Sequence, residues 1–150
     1  MENGRSANAK PDLNDILGVL IHKIDHAIYL HHNSRLAEFD ITFQQALALA
    51  YLCQHPACNQ RQLEEHMELR SPSVTVLLGT MIDKGLIKKE RSPSDGRHWR
   101  LFATEKGLEL IPAAKQCFDV TNELLTNGMP PEEVESLKKA LRRVLQNIAE

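Results

Sequence analysis

Between Lys84 and Lys106 seven side chains are basic (Lys84, Lys88, Lys89, Arg91, Arg97, Arg100 and Lys106) and three are acidic (Glu90, Asp95 and Glu105). That window carries +4 in a 150-residue chain whose formal net charge is −2, which leaves −6 on the remainder. Clustered guanidinium and ammonium groups neutralise phosphate oxygens. A local basic patch on an acidic body is the footprint of a domain that meets nucleic acid along one edge. The negative total excludes a uniformly basic nucleic-acid binder. On charge alone the window reads equally as a solvated hairpin.

Other chemistry is thinly represented. The chain has no glycine-rich phosphate loop, nucleophile elbow, HExxH or paired Cys/His cluster, so neither an enzyme nor a cofactor is expected. Cys53, Cys58 and Cys117 are odd in number and lack CxxC spacing. A disulfide framework or structural zinc site is not expected from them, and buried free thiols are. His22 and His26 stand four apart and share one helix face, but two ligands do not complete a site, so no metal is expected.

The elements that must position the basic window follow from periodicity and caps. Hydrophobic residues make up 42% and aromatics only 5%, with Leu and Ile dominant, which favours helices over a large sheet. The polar stretch 1–11 predicts disorder and has no signal-peptide pattern. No apolar run approaches the ~18 residues of a membrane span. A cytoplasmic protein with no membrane partner is expected. From Leu13 to about Arg35, apolar residues at steps of three and four predict an amphipathic helix. Thr42 and Gln45 form a capping box for a helix ending before Pro56, and Asn59 and Gln62 form another for a short helix through about Met67. Ser71 as N-cap and Pro72 at the first helical position predict a helix to Lys84, stopped at Gly85.

The period then changes. Leu86–Arg91 and His98–Ala103 read as strands around the turn-rich Ser92-Pro93-Ser94-Asp95-Gly96. Thr104 caps a long helix that Pro112 should kink. Asn127-Gly128 ends it, and Pro131 opens a last helix striped by Val134, Leu137, Leu141, Val144, Leu145 and Ile148. The fold class expected is mainly α with a small β-hairpin wing. A short helix, a tight turn over Glu68–Arg70, a second helix and a basic hairpin make a winged helix-turn-helix. The second helix of such a unit enters the major groove of duplex DNA with its N-terminal residues nearest the bases.

The positions facing outward on that second helix are Ser71, Ser73, Val76, Gly79 and Thr80. No Arg, Lys, Asn or Gln faces out between Ser71 and Asp83, so bidentate reading of guanine or adenine is missing from this face. Base-edge contacts are expected from the hydroxyls of Ser73, Thr75 and Thr80 and from Val76 against thymine methyls. Gly79 costs about 1 kcal/mol of helix stability relative to Ala but allows close backbone approach. Arg61, Arg70, Lys88, Arg91, Arg97 and Arg100 are expected on phosphates.

These residues resemble the MarR family of bacterial transcriptional regulators. The resemblance rests on Lys84-Gly85-Leu86-Ile87, then Arg91, Asp95-Gly96-Arg97, Leu101, Thr104 and Gly107, and covers roughly 13–150. It implies that Arg97 reads or clamps the minor groove and that Asp95 orients a neighbouring Arg. The family often has an Arg near the middle of the recognition helix, which this chain lacks. The implied domains are 37–104 as the winged helix-turn-helix, and 12–36 with 105–150 as a helical dimerisation region.

The apolar faces of Leu13–Ile28 and Val134–Ile148 exceed what a small winged helix needs, so a homodimer over a pseudo-palindromic operator is expected. The resemblance also implies a pocket for a small aromatic or phenolic ligand, for which His26, Tyr29 and Arg35 are the candidates. The histidines of the first helix, His22, His26, His31 and His32, also read as solvated or core-capping. Peroxide sensing through a cysteine near the start of that helix is not expected, because no Cys precedes Cys53. The expected function is a dimeric sequence-specific DNA-binding transcriptional regulator, a repressor released by a small-molecule effector. The alternative is a winged-helix protein-interaction module with little or no DNA binding.

Overall fold

The computed structural model describes residues 12–149, so the disorder expected for 1–11 lies outside the described residues. The helices are α1 (Leu17–Leu36), α2 (Phe43–Gln54), α3 (Gln60–Met67) and α4 (Ser71–Asp83), followed by strands β1 (Ile87–Arg91) and β2 (Trp99–Ala103). Helices α5 (Glu105–Glu109), α6 (Ile111–Leu125) and α7 (Pro131–Ala149) complete the order. Each strand is one residue shorter than expected, without Leu86 or His98.

Local chemistry explains most boundaries. Both predicted capping boxes form: Thr42 accepts from the Gln45 amide and Asn59 from the Gln62 amide, and each glutamine side chain reaches back. Gly85 ends α4 with φ 71°. Its amide donates to the Ile82 carbonyl at 2.8 Å, and the Leu86 amide donates to Met81 at 2.9 Å. That double bond with a glycine in the left-handed region is a Schellman motif, closed by buried Met81 and Leu86.

Three expectations are corrected. The first helix begins at Leu17 and not Leu13, because Asp12 accepts from the Asn14 amide and sets a separate 3-10 turn, Leu13–Asp15, before extended Ile16. Ser71 is the first helical residue of α4 and not its N-cap. Arg70 holds the extended cap conformation (φ −71°, ψ 147°) without a side-chain cap bond, which puts Pro72 at the second position. Pro112 does not kink one helix. The chain stops at Glu109 and restarts at Ile111, with Pro112 in the first turn of α6, where its missing N–H has no partner to lose.

The core lies where α2, α3 and α4 meet the hairpin. Leu49, Leu52, Leu63, Leu78, Met81, Leu86, Ile87 and Leu101 are fully buried there. The hairpin is antiparallel, with Ile87 opposite Ala103, Lys89 opposite Leu101 and Arg91 opposite Trp99. Leu101 also pairs with the α2–α3 linker: its amide donates to the Cys58 carbonyl at 2.8 Å, and its carbonyl accepts from Ala57 at 3.1 Å. The wing is therefore stitched to the start of α3. Thr104 ties the far end, donating to the Gly85 carbonyl at 2.6 Å and accepting from the Gly107 amide at 3.1 Å. Gly107 lies against the Leu86 carbonyl and Leu49, with no room for a Cβ. The Thr-x-x-Gly spacing is the geometry of this junction.

Candidate nucleic-acid interface

Helix α4 is two-sided. Val74, Leu77, Leu78 and Met81 are buried, while Ser71, Ser73, Val76, Gly79 and Thr80 are exposed, as the sequence predicts, and Thr75 is exposed beside them. Val76 is 71% exposed, a large apolar side chain held out to solvent at the centre of a polar face. Thr75 Oγ1 donates to the Ser71 carbonyl at 2.9 Å and Thr80 Oγ1 to the Val76 carbonyl at 3.1 Å. Gln60, the first residue of α3, donates from Nε2 to Thr75 Oγ1 at 2.9 Å. That bond joins the start of α3 to the exposed side of α4.

The wing tip is built around Asp95. Its Oδ1 accepts from the Arg97 backbone amide at 3.0 Å, and its Oδ2 lies 3.4 Å from His98 Nε2. The carboxylate thus holds the neighbouring Arg97 through its backbone amide. Arg91 is held by the wing instead: Nη1 donates to the Gly96 carbonyl at 2.8 Å and the guanidinium lies 5.0 Å from the Trp99 ring centroid. Arg97 has no ion-pair partner among the described residues. It lines a cleft of about 440 Å³ with Gln60, Arg61, Lys89 and Trp99. Wing tip, start of α3 and exposed side of α4 therefore adjoin.

The cations divide by strand parity. Lys89 and Arg91 share the hairpin face of Ile87, and Lys89 lines the cleft. Lys88 and Arg100 belong to the opposite face, where Lys88 pairs with Glu90 at 2.8 Å and lies 5.7 Å from the Phe102 ring centroid. Lys89, absent from the expected site, holds the place given to Lys88. Alternation counted from buried Ile87 carries that signal. Arg61 reaches the cleft but pairs with Glu65 at 3.1 Å, both ends exposed, an interaction of little strength. Arg70 is exposed at the start of α4 with no ion pair among the described residues. Two cations of the basic window are internal ties: Lys84 donates to the Asp40 carbonyl at 2.6 Å, and Lys106 donates to the Lys84 carbonyl at 2.7 Å.

The proposed effector residues do not converge. His26 and Arg35 are nine residues apart on α1, about 180° around the helix axis. Tyr29 alone lines a hollow of about 440 Å³, with Asn33, Asp40, Thr42 and Lys84. The histidine that packs inward is His32, 6% exposed, stacked on Phe43 at 4.4 Å and edge-on to Phe118 at 5.5 Å. Neither of its ring nitrogens has a hydrogen-bond partner among the described residues. Desolvation, then neighbouring His31, lowers its pKa from 6.5. Burial raises the thiol pKa of Cys58 and of Cys117, while Cys53 is exposed, which corrects the expectation of three buried thiols. Among the described residues no cluster of three His, Cys, Asp or Glu could hold a metal ion, and no helix is long and apolar enough to cross a membrane.

Residues 39–98 match the MarR family, and that span contains α2 to α4, β1 and the wing turn. Over that span the chain is similar to the MarR family. An uncharacterized HTH-type transcriptional regulator of Bacillus subtilis, YybA, is 27% identical over 136 residues, covering 91% of this chain and 90% of that protein. The structure of S. aureus MepR in complex with DNA superposes with a TM-score of 0.84 at 27% identity, covering 88% of this chain and 98% of the other. The PcaV transcriptional regulator of Streptomyces coelicolor, in complex with its natural ligand, superposes with a TM-score of 0.82 at 26% identity over 95% of this chain and 100% of the other. The chain accordingly shares the winged-helix fold of these transcriptional regulators.

Proposed function

We propose that this protein is a homodimeric, sequence-specific DNA-binding repressor whose hold on its operator is released by a small aromatic or phenolic ligand. The observation that carries the DNA-binding reading is the cleft in which Arg97 of the wing adjoins the start of α3, itself bonded to the exposed face of α4. One helix face and one unpaired guanidinium then address the same duplex, α4 in the major groove and the wing along the backbone or minor groove. Arg61, Arg70, Lys89 and Arg97 supply phosphate contacts, and Lys88, Arg91 and Arg100 add charge on the wing. MepR bound to DNA supports the same use of this fold.

The dimer reading rests on apolar surface that one copy leaves bare. No residue of α7 is buried, and Leu137, Leu141, Leu145 and Ile148 are exposed along it. Leu13, Ile16, Leu17, Leu20 and Ile24 are exposed at the other end of the chain. We assign 12–36 and 105–150 to dimerisation and 37–104 to DNA binding. A two-fold dimer sets its recognition helices about 34–36 Å apart, one turn of DNA. An effector acts through its differential affinity for two spacings of those helices. The Tyr29 hollow, between α1 and the end of α4, is where such a ligand couples the two regions, and the PcaV–ligand complex supports an effector of some kind.

Selection of bound duplexes from a random pool tests binding, half-site symmetry and spacing together. A pseudo-palindrome with steep salt dependence is expected. Absence of salt-dependent duplex binding would replace this reading with a protein-docking module.

A further inference from the structure

The hydroxyl hydrogens of the α4 threonines are already committed. Thr75 Oγ1 lies 2.9 Å from the Ser71 carbonyl oxygen, and Thr80 Oγ1 lies 3.1 Å from that of Val76. A carbonyl oxygen has no proton to give, so the hydroxyl is the donor in both contacts. A hydroxyl has one hydrogen, and each threonine therefore presents only lone pairs outward. Thr75 is held further. Gln60 Nε2 donates to its oxygen and also to Glu64 Oε1, both at 2.9 Å, so the rotor is gripped from the side of α3. At about 100° per residue, Thr75 lies to one side of Gly79 and Val76 and Thr80 to the other. Between Thr75 and Thr80 the exposed face is an apolar centre flanked by two acceptors.

We propose that the middle of α4, from Thr75 to Thr80, reads its half-site as an acceptor-only surface, with Thr75 and Thr80 taking the 6-amino group of adenine and Val76 the methyl group of thymine. In the major groove, guanine offers O6 and N7 and thymine offers O4, all acceptors, while adenine N6 and cytosine N4 carry the donors. A hydroxyl whose hydrogen points back into its own helix is mismatched to guanine. An A·T pair meets the whole surface, with an amine on one strand and a methyl on the other; cytosine satisfies only the amine. Gln60 is a positioning residue that keeps Thr75 in this polarity. The inference rests on the DNA-binding reading and names the base class that its site selects.

The test uses the full chain and the duplex recovered from the random pool, by fluorescence anisotropy at one salt concentration. Each adenine of the half-site is replaced in turn by purine, which lacks the 6-amino group and keeps N7. Each thymine is replaced by uracil, which lacks the methyl. At one adenine, loss of the amine is expected to weaken wild-type binding about three- to tenfold. Thr75→Val or Thr80→Val should bind the adenine and purine duplexes equally at that position. Gln60→Ala should narrow the ratio at the Thr75 position without changing the thermal midpoint. Uracil should weaken wild type and leave Val76→Ala little affected. Wild-type affinity indifferent to every amine, amine sensitivity that survives in both valine variants, or a half-site with guanine at the contacted positions would overturn the inference and leave the DNA-binding reading standing. No salt-dependent binding to any duplex would overturn both.

Discussion

Arg97 separates the two uses of the wing, charge and shape. Its backbone amide is held by Asp95, while the residue lines a cleft and has no ion-pair partner among the described residues. Arg97→Ala is therefore expected to leave the turn intact and to remove one proposed phosphate contact. Duplex affinity is expected to fall about tenfold or more at fixed salt, and the log–log salt slope by about one unit. Unchanged affinity with an unchanged slope would remove Arg97 from the interface. His32 supplies a prediction on pH. The folded protein keeps its buried ring neutral, and the unfolded chain binds a proton near pH 6.5. The unfolded state thus binds more protons below that pH, and stability falls as the solution is acidified through it. His31 on α1 is the titratable neighbour that adds to the effect, Cys117 faces His32 from α6, and α2 contributes the uncharged Phe43. His32→Phe should flatten the thermal midpoint between about pH 7.5 and about pH 5.5, below the usual imidazole range. A wild-type midpoint already flat over that window would refute the assignment.

At the scale of elements, the junction of α4, the hairpin and α5 fixes the direction of the wing. Gly107 is buried in α5, and a Cβ there would meet the Leu86 carbonyl oxygen and come within 3.0 Å of Leu49 Cδ2. Neither backbone can yield without moving the strand that carries the wing. Gly107→Ala is expected to cost about 1–3 kcal/mol, read as a lower urea midpoint with an unchanged slope. An unaffected midpoint would show that the junction relaxes freely. Most of these elements were legible in the sequence. Capping boxes at Thr42 and Asn59, the stop at Gly85 and the turn at Asp95 depend on residues within a few positions of one another. The errors came where a local rule had a close competitor. Ser71 and Arg70 competed for the cap, and Pro112 fitted the first turn of a new helix as well as the bend of an old one.

At the scale of the whole molecule, a single copy leaves apolar surface bare on α7 and α1. Helix α7 makes little contact with the rest of the chain, and a groove of about 540 Å³ opens between Ile21, Ile24 and Ile28 of α1 and Leu137 and Leu141 of α7. Burial of that surface by a second copy predicts a dimer by light scattering at micromolar concentration. Leu141→Glu should shift it to monomer and weaken operator binding together, since two half-sites must be engaged at once. A wild-type monomer, or a monomeric variant that binds the full operator undiminished, would argue against the two-fold arrangement.

The sequence by itself determined the order of most elements, the helix-turn-helix followed by a basic wing, most of the outward face of α4 and the family resemblance. These are carried by caps, turn residues and hydrophobic period, all short-range. Tertiary structure alone decided which cations are free. Lys84 and Lys106 are used on carbonyls of other elements, and Lys89 lines the cleft that Lys88 faces away from. It also turned His32 inward, scattered His26, Tyr29 and Arg35, and placed Gln60 of α3 on the hydroxyl of Thr75. The reason is common to all of them. A charge, a ring nitrogen or a hydroxyl proton is directed by the atom opposite it, and most of those atoms belong to elements distant in the chain.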